Sequence, residues 1–418
     1  MELVDAPHSK CGTFGFVGSS PTAPTSLMKT YNRFPLDLIR GKGSWVWDKK
    51  GRKYLDAVAG IATCSLGHSD KALIKSLSKQ LKRLQHVSNL YGIPEQEELA
   101  QWLTSQSFAK SVFFCNSGAE ANEAAIKLAR KYGHIERNID NPVILCSKES
   151  FHGRTLAAVS ATGQTKYHKG FEPMVQGFQF FSYNDSESFE NLFDTLEKTG
   201  PQIAAVFIEP IQGEGGINPV SNEFLVFIRK LCDENNILMI LDQVQCGMGR
   251  TGKLFSHEWS GIEPDIITLA KGLGAGFPIG AVLASEEASR GMQHGSHGST
   301  FGGNPVGCSI ALKVIELIEK EEILYNVTRL SGILISELKK LVEKHHNKIS
   351  GVRGKGLMIG VECIEKNSII TDQAFQNGLL LVNAANNVIR FLPPLNISEN
   401  EVMEAVKKFD ETLSNFDI

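Results

Sequence analysis

No apolar run in this chain approaches the roughly 18 residues that a bilayer-crossing helix needs, so a membrane is not an expected partner. Charge of one sign is also missing. The 43 Lys+Arg nearly balance the 46 Asp+Glu, and a formal net charge of −3 excludes the broad basic surface of a nucleic-acid binder. The eight cysteines (11, 64, 115, 146, 232, 246, 308, 363) form no C-x-x-C pair. That argues against a zinc ribbon or a dithiol redox motif, and the thiols read as free and buried in a reducing cytoplasm, with no metal expected. Internal repeats are absent, and the one low-complexity tract is the Ser/Thr/Pro/Gly-rich start. Residues 1–26 have no apolar h-region and carry Glu2 and Asp5, so they read as a flexible extension rather than a signal peptide.

What remains is a chain of 418 residues, 42% hydrophobic, enough for a sizeable core and more than one average domain. Between about 108 and 285, short apolar runs alternate with amphipathic stretches. Strands are expected at 111–115, 142–147, 177–183, 203–211, 237–244, 265–270 and 279–284, with helices at 118–134 and 222–236. Continuous apolar strands separated by helices imply an α/β fold, a mostly parallel sheet covered on both faces. The C-terminal part reads as α+β, with helices near 305–320, 326–346 and 399–415 and strands near 356–363, 379–384 and 387–394. A smaller domain is therefore expected over 301–418 and a large one over 66–300. The segment 27–65 reads as strand-turn-strand and is assigned to the smaller domain.

Four stretches carry candidate chemistry. "NSGAEA" (116–121) follows a strand and opens a helix, where small residues and the helix dipole suit a phosphate; an ordinary N-cap reads the same way. Asp242 ends an apolar strand, where side chains enter the crevice in which α/β proteins bind ligands, although a turn carboxylate also fits. Lys271 ends the next one. It is either a solvated strand-end ammonium or, if desolvated, a nucleophile toward an aldehyde. "QCGMGRTGK" (245–253) matches G-x-G-x-x-G and G-x-x-x-x-G-K, yet both need a helix directly afterwards and "LFSHEWSGIEPD" does not provide one. A nicotinamide dehydrogenase and a P-loop protein are set aside on that ground. Phosphate cradle, strand-end acid and strand-end amine are together the parts a pyridoxal-phosphate enzyme requires.

The ordered run "NSGAEANEAAIKLAR", "FHGRT", "EPIQGEGG", "LDQVQCGMGRTG", "PDIITLAKGLGAGFPIGA" and "HGSTFGGNP" resembles the class III pyridoxal-phosphate aminotransferases, of fold type I. The front motif "VAGIATCSLGH" is similar to that of the acetylornithine-using branch, in bacterial and especially cyanobacterial members. The resemblance implies a homodimer acting on small molecules, with N2-acetylornithine as donor and 2-oxoglutarate as acceptor, yielding glutamate. Ornithine, succinylornithine or 4-aminobutyrate as donor, or a non-catalytic relative, are the alternatives.

The resemblance also assigns residues. Ser117, Gly118 and Ala119, with Thr300 from the neighbouring subunit, would hold the phosphate. Phe151 and Val244 would cover the two faces of the ring, Asp242 would pair with its nitrogen, and Gln245 would approach its hydroxyl. Lys271 would link to the cofactor. Arg154 and Arg390 would bind substrate carboxylates, Glu214 would pair with Arg390, and Ser299 would contact substrate. One departure stands beside Asp242. The family has Glu where this chain has Gln243, still counted here among the cofactor-binding residues.

Overall fold

A computed structural model describes residues 26–200 and 202–415, so the expected extension at 1–26 lies almost entirely outside the described residues. Its largest sheet has seven strands in the order Ser111–Cys115, Gly280–Ala284, Ile266–Leu269, Leu238–Asp242, Ile203–Ile208, Val143–Ser147 and Phe178–Phe181. All neighbours run parallel except Gly280–Ala284, which is antiparallel to the strands on both sides. The exception follows from the connection. Only a tight turn at Lys271–Leu273 and a short loop join Leu269 to Gly280, too little for the crossover a parallel neighbour needs.

Side chains of these strands alternate cleanly between two apolar layers. Leu145, Val206, Met239, Leu241 and Ile267 enter one, and Ile144, Ala205, Phe207, Leu238, Ile240 and Val282 enter the other. Each such fully buried aliphatic side chain contributes about 1.5–3 kcal/mol of transfer free energy. The helix Gly118–Arg137 lays Ala121, Ala124, Ala125, Ile126, Leu128 and Ala129 on the second layer. Helix-capping Ser117 accepts a hydrogen bond from the Glu120 amide at 3.2 Å.

Two four-stranded sheets and a two-stranded one, Ile211–Gln212 with Asn218–Pro219, complete the frame among the described residues. Ile349–Lys355, Met358–Cys363, Val388–Phe391 and Val382–Ala384 form one of the four-stranded pair. Leu38–Lys42, Trp45–Asp48, Lys53–Asp56 and Leu379–Leu380 form the other, the last pair parallel. The strand expected at 379–384 is thus split at Leu381 between two sheets. Helices Lys71–Leu81, Pro94–Ser105, Ser186–Thr199 and Asn367–Gln376 and the strand Ile349–Lys355 add to the elements expected from sequence.

Candidate active site

Asp242 is the last residue of a wholly buried strand and shares a sheet face with Leu238 and Ile240, under the helix Gly118–Arg137. Four groups meet its carboxylate. Oδ2 accepts from Asn122 Nδ2 at 2.8 Å and lies 2.9 Å from His152 Nδ1. Oδ1 accepts from the Val244 amide at 3.0 Å and, weakly, from Thr268 Oγ1 at 3.5 Å. His152 is fixed in turn by stacking on Phe207, with ring centroids 3.9 Å apart. A buried carboxylate this well supplied with donors keeps a fixed direction.

The next strand, Ile266–Leu269, delivers Lys271 through a tight turn in which Lys271 has a φ of 40°. Burial, opposed chiefly by Glu214, pulls the pKa of its amine below the ordinary lysine value, with Arg390 adding to the depression. A solvated strand-end ammonium is therefore not what the fold builds. Lys271 and Asp242 line a single cavity of about 390 Å³ with Ser117, Gly118, Ala119, Phe151, Arg154, Val244 and Gln245.

At its edge Arg390, 1% exposed, pairs bidentately with Glu214: Nη1 donates to Oε1 at 2.6 Å and Nη2 to Oε2 at 3.0 Å. Arg390 Nη1 also reaches Gln245 Oε1 at 3.4 Å, which joins the pair to the cavity wall. Arg154 has no ion-pair partner among the described residues, and its guanidinium lies over the Tyr167 ring, 4.0 Å from the centroid. Ser299 accepts at Oγ from Asn116 Nδ2 at 3.1 Å, and Asn116 lines the cavity. Thr300 is exposed and does not line the cavity of its own chain.

Gln243 does not line the cavity either. Strand periodicity sends it to the face opposite Asp242, where its Oε1 accepts from the Ser256 amide at 2.6 Å and its Nε2 lies 2.8 Å from His257 Nδ1. Its place is in the framework beneath the site.

Sequence reasoning overlooked Asn122, His152 and Glu209. Asn122 lies one helical turn after Gly118, so i,i+4 spacing already put it on the face turned to the cavity. Glu209 is buried, and its carboxyl accepts from the Phe151 amide at 2.9 Å and the Gly213 amide at 3.1 Å. Burial first, and then the negative Asp242, raise its pKa well above the carboxylate range.

The donor set fits a flat, phosphorylated cofactor with a basic ring nitrogen and an aldehyde. Phosphate suits the helix N-terminus at Ser117–Ala119, where any Cβ on Gly118 would fall 2.6 Å from Val244 Cγ1. The nitrogen suits Asp242 and the aldehyde suits Lys271. Asn122 Oδ1, buried beside the cavity, has no hydrogen-bond partner among the described residues.

Comparison with known proteins agrees. The family model for aminotransferase class-III matches residues 27–413. The acetylornithine aminotransferase of Prochlorococcus marinus (strain SARG) is 60% identical over 405 residues, 96% of each chain. That of Nostoc sp. (strain PCC 7120) is 48% identical over 96% of this chain and 95% of its own. Among solved structures, N-acetylornithine aminotransferase from Stenotrophomonas maltophilia K279a superposes with a TM-score of 0.80 at 38% identity, covering 92% of this chain and 97% of that one. Ornithine aminotransferase from Toxoplasma gondii ME49 gives 0.89 at 31%, covering 93% and 92%. With its half-buried cavity lysine, its hydrogen-bonded aspartate and this match along nearly its whole length, the chain belongs to the class-III aminotransferases and is a pyridoxal-phosphate-dependent transaminase.

Proposed function

We propose that this enzyme is the acetylornithine:2-oxoglutarate aminotransferase of arginine biosynthesis. It moves the δ-amino group of N2-acetylornithine to 2-oxoglutarate, leaving N-acetylglutamate semialdehyde and glutamate in a ping-pong cycle. The observation that carries the reading is the pairing of buried Arg390 with half-buried Glu214, which Arg390 Nη1 joins to the cavity-lining Gln245. An arginine whose charge is matched inside the protein accommodates a donor with no carboxylate at that end. Released from Glu214, the same guanidinium offers a bidentate seat to the second carboxylate of 2-oxoglutarate. Acetylornithine aminotransferases at 48–60% identity support the donor.

When bound, pyridoxal phosphate supplies the electron sink that lets a proton leave the carbon bearing the amine. Ser117, Gly118 and Ala119 would hold its phosphate, Phe151 and Val244 its ring, Asp242 its nitrogen and Gln245 its hydroxyl. Lys271 would take the proton from the substrate carbon and return it two atoms along, to the carbon on the cofactor side of the nitrogen, as base and then acid. Burial lowers the pKa of this amine, which makes it a more available base than an ordinary lysine. Arg154, free of ion pairs among the described residues, would take the carboxylate present in both substrates, beside Ser299.

The unit would be a homodimer, with the partner subunit's Thr300 completing the phosphate site. Thr300 is exposed beside Phe301, and nearby Leu90 and Tyr91 are 87% and 71% exposed, an apolar surface suited to a second copy. Asn89 binds that loop, donating to the Ser299 and Gly302 carbonyls. We assign residues 66–300 to a large domain and 27–65 with 301–418 to a smaller one, a division supported by the pairing of Leu379–Leu380 with Lys53–Asp56. The cytoplasm suits the seven free cysteines among the described residues, where no helix is long and apolar enough to cross a membrane.

The test is specific activity with N2-acetylornithine, ornithine, succinylornithine and 4-aminobutyrate at fixed 2-oxoglutarate. The first should give the highest kcat/KM, and preference for any other donor overturns the assignment.

A further inference from the structure

Ala59, Gly60, Ile61 and Ala62 form a turn of left-handed helix, with φ values of 47°, 64°, 60° and 62°. Three of the four carry a Cβ and Ile61 is β-branched, so this conformation is strained and persists only where its surroundings impose it. Asp56 imposes it from one side. The Oδ1 of this buried carboxylate accepts from the amides of Val58 and Ala59, each at 2.9 Å. Its Oδ2 is 2.7 Å from His68 Nε2. His68 lies beyond the far end of the turn and is pinned by a two-way backbone bridge to Gly43, at 2.9 and 2.8 Å. The Asp56–His68 contact thus joins the entry of the turn to its exit.

The clamped segment touches the active site in three places. Thr63 lines the cavity. Ser65 Oγ donates to the carbonyl of Gly272, the residue after Lys271, at 3.1 Å. The Leu392 amide, two residues past Arg390, donates to the Ala57 carbonyl at 2.7 Å. The clamped segment, through Ser65 and Ala57 on either side of the strained turn, therefore spans the backbone that carries Lys271 and the backbone that carries the buried arginine.

We propose that Asp56 and His68 are positioning residues for transamination, a latch whose closure holds this turn and with it the register between Lys271 and Arg390. The proposal rests on the roles given to those two residues above. The titratable groups facing His68 are Asp56 and Cys64, and the strand Leu38–Lys42 packs Gly41 against it. Hydrogen bonding to Asp56, then to Cys64, raises the His68 pKa to about 10 against the pull of burial, so the latch is an ion pair throughout the neutral range.

The experiment compares wild type, His68→Ala, His68→Gln and Asp56→Asn as holoenzymes. It follows KM and kcat for N2-acetylornithine and 2-oxoglutarate from about pH 6 to about pH 9, with the visible absorption of bound cofactor as the check on folding. His68→Ala should raise both KM values about tenfold with a smaller change in kcat, and His68→Gln, whose amide still reaches Asp56, should stay within about threefold. In Asp56→Asn the main cause of the raised His68 pKa is gone, so His68 loses its proton at lower pH than in wild type. Neutral His68 can then accept from the new amide while Oδ1 still serves the turn, whereas protonated His68 cannot. The KM of this variant relative to wild type should therefore fall as pH rises across the measured range. Wild-type KM in His68→Ala, a loss that His68→Gln does not repair, or a pH-independent ratio for Asp56→Asn each overturns the proposal. If Asp56→Asn does not fold, the two His68 variants decide. Failure of the roles of Lys271 and Arg390 has a different signature, a wild-type enzyme that does not turn over this donor at all.

Discussion

Glu214 and Arg390 neutralise one another through a fork-to-fork contact at 2.6 and 3.0 Å, and Asn383 O holds the guanidinium from a third direction at 3.0 Å. Removing the acid leaves a buried cation without its partner. Glu214→Ala should therefore weaken the acetylornithine half-reaction and favour the dicarboxylate half. The ratio of their kcat/KM values should shift by about tenfold or more. Single-turnover kinetics measure the halves separately, and equal changes in both would remove the switching role.

Lys271→Ala should lower kcat by at least about 10²–10⁴-fold, the usual share of a positioned general base and acid. Thr300→Ala should weaken cofactor binding. If Thr300 serves the opposite subunit, mixing the two variants creates heterodimers with one complete site, which pairs intact Lys271 with the intact Thr300 of the other chain. Activity of the re-associated mixture should exceed that of either variant alone. No gain on mixing would place Thr300 in its own chain's site or outside any.

The pattern of buried strands was legible because their apolar runs are short, continuous and bounded by turn residues. Asp242 and Lys271 were each ambiguous alone, a turn carboxylate and a solvated ammonium, and took their roles only from the ordered motifs around them. Only the adjacency of Leu238–Asp242 and Ile266–Leu269 in the sheet brings the two together. The reversed direction of Gly280–Ala284 was invisible, because an apolar run reads the same whichever way its neighbours point. The crossing at Leu381 from one sheet to another carries no mark in "LLLVNA" for the same reason. Gln243 misled through proximity in sequence, where a period of two puts neighbours on opposite faces. The helix Lys71–Leu81 did carry a signal, Asp70 accepting from the Ala72 and Leu73 amides, that a search for N-caps would have caught.

Asn122 aims its amide at Asp242 Oδ2 and at the His152 carbonyl, 2.8 and 2.6 Å away. A hydrogen bond to a charged group is worth about 1.5–3 kcal/mol, so Asn122→Ala should lower kcat/KM by about 10- to 150-fold. If Asp242 pairs with the cofactor's nitrogen as proposed, the loss should come with an altered pH titration of the visible band. An unchanged titration would reduce Asn122 to a packing residue.

His257 accounts for what Gln243 does. Burial pulls the His257 pKa down to about 4, so the ring is neutral and accepts at Nδ1 from the Gln243 amide at 2.8 Å. In the unfolded chain this histidine binds a proton below about pH 6.5, whereas in the folded one it does so only near pH 4. Between those values the unfolded state holds the extra proton, so stability is complete above the upper one and declines as pH falls toward the lower. From pH 7 to pH 5 the loss amounts to about 2 kcal/mol. A carboxylate at position 243 would favour the imidazolium and raise the folded-state pKa, which narrows the window. Gln243→Glu should therefore show a smaller drop in urea stability between those two pH values than wild type does. A drop as large as that of wild type would mean that His257 does not sense residue 243.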